Sequence, residues 1–148
     1  MDAIDQKILT MLQKNARTPL KVLAEAVFLS SPAVSARIRN LEAQAILTGY
    51  QAQVDQYRLG YHIRAYVLLE MTPDRRESFV KQIVKEPHVL ECSHITGEYS
   101  MLLKVAFKST VELDGFVGRL QKFGRTQTQI VFSTPIEARG VQATEDNR

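Results

Sequence analysis

The apolar residues of this 148-residue chain change their spacing near residue 50. Up to about residue 47 they recur three and four apart, which lines one stripe of a helix. Beyond residue 50, strand-like alternation and helical spacing take turns. One kind of layer cannot bury both patterns, so the chain is expected to form a helical unit followed by a mixed one. Domains of roughly 50–200 residues are usual, and 148 residues fit one domain or two small ones. No fixed-period repeat or low-complexity tract interrupts this division.

In the helical part, residues 2–15 place Ile4, Ile8, Leu9, Met11 and Leu12 on one stripe. Asp2 and Asp5 fall in its first turn, where the helix dipole favours negative charge. Thr18-Pro19 is expected to open a second helix, with threonine as cap and proline in the first helical position. Its inward stripe is Leu20, Leu23, Ala24 and Val27, and it ends near Phe28. After a tight break, Ser30 or Ser31 caps a third helix with Pro32 in its first turn. Val34, Ile38 and Leu41 form its buried stripe. Pro32, Ala33, Ser35, Ala36, Arg39 and Asn40 form its outer face, with Arg37 on the flank.

After the turn signal Thr48-Gly49, residues 50–54 alternate like a short strand, and 55–60 read as a connector. The rest reads β-α-β-β-α-β, the order of a split βαβ, ferredoxin-like unit. A strand over 61–71 puts Ile63, Ala65, Val67, Leu69 and Met71 on one face, and Tyr66 and Leu68 on the other. Thr72-Pro73 starts a helix carrying Phe79, Val80, Ile83 and Val84, stopped by Pro87. Strands over 89–96 and 101–108 flank a hairpin at 97–100. Ser109-Thr110-Val111-Glu112 reads as a capping box for a helix carrying Leu113, Phe116, Val117 and Leu120. Gly124 stops it, and the last strand runs over 126–134. Gly115 and Gly118 lie inside that helix, where close packing against the sheet is the simplest explanation. The expected organisation is a three-helix unit over 1–49, a hinge strand and linker over 50–60, the βαββαβ unit over 61–140, and a flexible tail over 141–148.

Two short helices, a tight turn and a capped third helix form a helix-turn-helix pattern. For DNA binding, the third helix must dock by its inner stripe, enter the major groove by its N-terminal turn, and offer small and basic residues outward. Residues 30–41 carry Arg37 and Arg39 and no acid, with Ser31, Ala33, Ser35 and Ala36 small enough for close approach. A generic three-helix bundle with a solvated basic face fits the same pattern. The net charge of +3, from 19 basic and 16 acidic residues, names no partner by itself. Residues 1–60 hold seven basic and five acidic residues, so only local clustering supports DNA binding.

Other chemistries find little support. A single cysteine, Cys92, excludes an intrachain disulfide framework and a multi-cysteine zinc site. His62, His88 and His94 are scattered, and Cys92 with His94 supplies only two ligands on one strand face, so no metal is expected. No phosphate loop, nucleophile elbow or paired-carboxylate arrangement appears, so neither an enzyme nor a cofactor is expected. Apolar runs are a few residues long, and the acidic, helix-like start does not read as a signal peptide, so a cytoplasmic protein without a membrane span is expected.

The stretch Asp2-x-x-Asp5-x-x-Ile8-Leu9-x-x-Leu12 resembles the opening of the Lrp/AsnC (leucine-responsive, feast/famine) regulators. So do Asn15-Ala16-Arg17, Leu23-Ala24, Leu29-Ser30, Arg37-Ile38, Leu41-Glu42, Ile46, Gly49-Tyr50 and Leu59-Gly60, in that order. Thr96-Gly97-Glu98-Tyr99 before Leu102-Leu103 resembles the effector and assembly domain of the same family. The likeness spans residues 1 to about 140. It departs at Phe28 and Ala45, where glycine is usual, and at Ser100, where aspartate is usual.

The resemblance implies a transcriptional regulator that binds double-stranded DNA, and the faces of the third helix point to Ser31, Ser35, Arg37, Arg39 and Asn40 as its contacts. Arg37, on the flank, suits a phosphate or an internal hydrogen bond. The resemblance also implies a homodimer, often assembled into an octamer, with recognition helices in successive major grooves. An amino-acid effector would lie near Gly97, Glu98, Tyr99, Ser100, Met101, Thr126, Gln127 and Thr128. Glu98, Ser100 and Thr128 could serve its ammonium and carboxylate. Two other functions fit the same chain: an architectural protein that wraps DNA with little sequence preference, and a ligand-sensing module whose helices bind protein.

Overall fold

The computed structural model describes residues 1–143. Its contacts divide the described chain into two units: Met1–Gln53 with residues 136–143, and Val54–Pro135. Residues 136–143 group with the helices, and Gly140 passes against Gln13. Of the expected tail, residues 144–148 lie outside the described residues.

The first unit holds α1 (Ala3–Lys14), α2 (Leu20–Val27) and α3 (Ser31–Ala43). Helix α1 begins in a reciprocal cap. The Asp5 N–H donates to Asp2 Oδ1 at 2.9 Å, and the Asp2 N–H donates to Asp5 Oδ2 at 3.2 Å. Thr18 does not cap α2. Its hydroxyl donates instead to the Asn15 carbonyl at 2.7 Å, closing the α1–α2 corner and leaving Pro19 as a cap without a side-chain bond. Leu20 is largely exposed rather than inward, since it begins the helix at its outer end. Ser30 caps α3, its Oγ accepting the Ala33 N–H at 3.3 Å. The core joins Ile8, Leu12, Leu23, Ala24, Val27 and Val34, with Ile38 and Leu47 half-buried against it.

Phe28 and Ala45 both adopt the left-handed conformation, at φ 56° and 54°. Each ends a helix by folding N–H groups back onto the last turn. Leu29 N–H reaches the Ala24 carbonyl and Ile46 N–H the Leu41 carbonyl, both at 3.0 Å.

The second unit holds β1 (Ile63–Leu69), α4 (Arg76–Ile83, after one 3-10 turn), β2 (Val89–His94), β3 (Met101–Phe107), α5 (Thr110–Leu120) and β4 (Thr126–Ile130). The four strands form one antiparallel sheet in the order β2-β3-β1-β4. This is the expected βαββαβ arrangement within a mixed α+β chain. Both helices cover one face, where Ala65, Val67, Leu69, Met101, Leu103, Val105 and Phe107 meet Phe79, Ile83, Leu113, Phe116 and Leu120.

Several local expectations fail for identifiable reasons. Residues 50–54 form no strand, because no neighbouring strand in the described chain completes a ladder for them. Among the described residues, no strand forms a wing beside the helix-turn-helix. Val80 and Val84 are exposed, since the two-turn α4 buries only its i,i+4 pair Phe79 and Ile83. Strands β2 and β4 stop at His94 and Ile130, short of 96 and 134. Ser109 caps α5 as expected, but Glu112 reaches past it to the Lys108 N–H at 3.0 Å. A side chain at Gly118 would meet nothing within 4 Å, so close packing does not explain that glycine.

Candidate functional site

Helix α3 is held by two kinds of contact. Val34 and Leu41 are buried, and Ile38 is half-buried against the core. On the flank, Arg37 Nη1 donates to Asp2 Oδ2 and to Asp5 Oδ1, each at 2.8 Å. The Asp5 and Asp2 carboxylates hold the guanidinium firmly in its charged form. The Asp2 carboxyl is in turn held below the usual carboxylate range, first by the Asp5 N–H and then by Arg37. The aspartates that cap α1 thus also fasten α3 to it.

The opposite flank and the outer face of α3 stay open. Ser31 and Ser35 are half-buried, while Pro32, Ala36, Arg39 and Asn40 are exposed. Arg39 Nη1 donates to Ser35 Oγ at 3.0 Å, one turn away along the helix. Of the five residues expected at DNA, four therefore share the accessible side, and Arg37 lies between α3 and α1. The Asp2-x-x-Asp5 spacing was the signal for this, since a capped first turn gathers two carboxylates for a nearby cation.

The hairpin between β2 and β3 brings the second group of residues together. Ser100 Oγ accepts the Met71 N–H at 3.2 Å and lies 3.2 Å from the Met71 carbonyl, while its own N–H donates to the Leu69 carbonyl at 3.1 Å. Ser100 thus pins the hairpin to the end of β1. Met101 is buried in the core under the helices. Glu98 and Tyr99 meet at Arg125, a residue that no sequence signal singles out. Arg125 pairs with Glu98 and, at 2.9 Å, with Glu70, and its guanidinium carbon lies 5.3 Å from the centre of the Tyr99 ring. Both carboxylates, Glu98 first, hold Arg125 in its charged form. Thr126, Gln127 and Thr128 continue from it along the edge strand β4, with Thr128 and Gln127 exposed.

Gly124 makes this corner possible. A Cβ there would overlap the Glu70 carbonyl, and the Arg125 carbonyl accepts the Glu70 N–H at 2.8 Å. Among the described residues, no three His, Cys, Asp or Glu side chains are grouped to hold a metal, and no helix is long and apolar enough to cross a membrane.

A docked third helix with no acid over residues 30–41, followed along the chain by a βαββαβ unit, defines a helix-turn-helix regulator with a second, effector-type domain. Comparison with known proteins gives the family. Residues 1–42 match the AsnC-type helix-turn-helix domain, and residues 64–141 match the Lrp/AsnC ligand binding domain. The HTH-type transcriptional regulator FL11 of Pyrococcus furiosus is 31% identical over 134 residues, covering 88% of this chain and 89% of that protein. The structure of LrpC from B. subtilis superposes with a TM-score of 0.87 at 29% identity, covering 94% of this chain and 99% of that one. A transcriptional regulator of Neisseria meningitidis in complex with L-Met superposes with a TM-score of 0.86 at 30% identity, covering 94% of each chain. The chain belongs to the Lrp/AsnC family. It is a helix-turn-helix transcriptional regulator, in a family of regulators and not of enzymes.

Proposed function

We propose that this protein binds DNA with sequence preference as a homo-oligomer and adjusts that binding to an amino acid. The observation that carries the reading is the accessible side of α3, where Arg39 and Asn40 stand exposed beside small residues on a firmly docked helix. Ser31, Ser35, Arg39 and Asn40 face base edges or phosphates, and Arg37 positions the helix through Asp2 and Asp5. Oligomerisation is supported by the sheet face opposite the helices, where Tyr66, Leu68 and Leu102 are only half-buried and lie beside Arg64 and Lys104. Such an assembly brings two α3 helices to successive major grooves and acts in the cytoplasm, where the chromosome lies.

The amino acid is read at the hairpin. Glu98 accepts from its ammonium, while Arg125, Thr126 and Thr128 offer donors to its carboxylate. Ser100 and Met101 shape this site from behind, one as a clamp and the other as core.

Selection of bound duplexes from a random pool, with and without pooled amino acids, tests both parts. Enrichment of one motif is expected, and equal recovery of all sequences would favour an architectural role. A ligand that shifts the melting temperature of the protein, and no longer does so after Arg125→Ala, is the expected sign of the hairpin site. Sedimentation as a monomer at micromolar concentration would remove the oligomer.

A further inference from the structure

We propose that Phe28 and Lys7 form a second DNA contact beside the recognition helix, the phenyl ring lying on a deoxyribose of the groove wall and the ammonium meeting the adjoining phosphate. This rests on the DNA-binding reading above and adds two residues to it.

The turn between α2 and α3 requires a left-handed residue, and glycine adopts that conformation without strain. Phenylalanine stands there instead, at φ 56° and ψ 42°, in a region that disfavours bulky L-residues. No burial offsets this, because Phe28 is 91% exposed while its neighbours Val27 and Leu29 occupy the core positions. A strained, solvent-facing aromatic is an arrangement that gains its value from something outside the unit.

Two further facts indicate what that is. Lys7 Nζ donates to the Ala26 carbonyl at 2.6 Å and lies 6.0 Å from the centre of the Phe28 ring. A cation is thus fixed over the ring, with ammonium donors remaining for an anion. Phe28 also stands two residues ahead of Ser30, the cap of the helix that enters the groove, and no acid occurs over residues 26–41. An apolar face beside a fixed cation matches the sugar-phosphate chain, whose sugar is apolar and whose phosphate is anionic. The contact would strengthen binding to any sequence.

Fluorescence anisotropy with the duplex recovered by selection, and with a random duplex, tests the proposal across a salt series. Phe28→Gly and Phe28→Ala should each weaken binding to both duplexes about five- to tenfold with an unchanged salt slope. Lys7→Gln should lower the slope by about 0.9, as loss of one phosphate contact does. Phe28→Gly should melt no lower than the unaltered protein, since glycine suits the turn, which separates lost contact from lost folding. Unaltered affinity in Phe28→Gly overturns the proposal and leaves the DNA-binding reading standing. Weakened binding that comes with a changed sedimentation coefficient also overturns it, and gives Phe28 to a contact with a second copy. If the unaltered protein binds no duplex at all, both readings fall.

Discussion

Arg37 and Arg125 each hold two carboxylates, one in each unit, and they do different work. The Arg37 side chain is 32% exposed and its partner Asp5 13%, so their pairing sits between two helices. Arg125 is 57% exposed, as are Glu70 and Glu98 to similar degrees, and an aromatic ring lies beside it. Water screens the second cluster far more than the first. The first is suited to fix geometry, and the second to exchange a protein carboxylate for that of a ligand. The same residue types at similar distances thus acquire different roles through exposure.

The largest effect that would break this comparison is at Gly124. Gly124→Ala drives a Cβ into the Glu70 carbonyl, so the β1–β4 corner that carries Arg125 must open. A loss of about 3 kcal/mol or more is expected in urea denaturation. Next come Arg37 and Arg39, on one helix. Arg37→Ala should weaken operator binding several-fold without altering its salt slope, because it displaces α3 and removes no phosphate contact. Arg39→Ala should lower the slope by about 0.9 if Arg39 meets a phosphate. Equal slopes for both variants would dissolve the distinction.

A smaller, pH-dependent effect sharpens it. The Asp2 carboxyl titrates below its ordinary value of 3.8 in the folded protein. Its contribution is therefore complete above that value and is lost as the pH falls through the folded pKa. Thermal melts over pH 2–5 should show a decline that is reduced in Asp2→Asn. Gly118→Ala has the smallest effect and the opposite sign. With nothing near its Cβ, it should stabilise α5 by about 0.5–1 kcal/mol, read as a raised urea midpoint.

Much of the fold was legible from spacing. The stripes Ile8-Leu12, Leu23-Val27 and Val34-Leu41, and the alternation Ala65-Val67-Leu69, all lie where periodicity puts them, because burial itself selects the pattern. Strand 50–54 was not legible, since alternation only allows a strand and a ladder needs a partner. Thr18 was misread because a hydroxyl can cap the following helix or close the preceding corner, and the chain path chooses between them. Arg125 was invisible because Glu70 and Glu98 are far from it in sequence.

Sequence alone determined the two-unit organisation, the helix-turn-helix with its capped third helix and acid-free stretch 30–41, and the family. These follow from local chemistry: period, caps and turn residues. Tertiary structure decided which arginine faces outward, that Ser100 is a clamp, and that Phe28 and Ala45 carry left-handed backbone despite their side chains. Each of those depends on groups distant in the chain meeting at a few ångströms, or on a turn whose geometry is imposed by the core on either side.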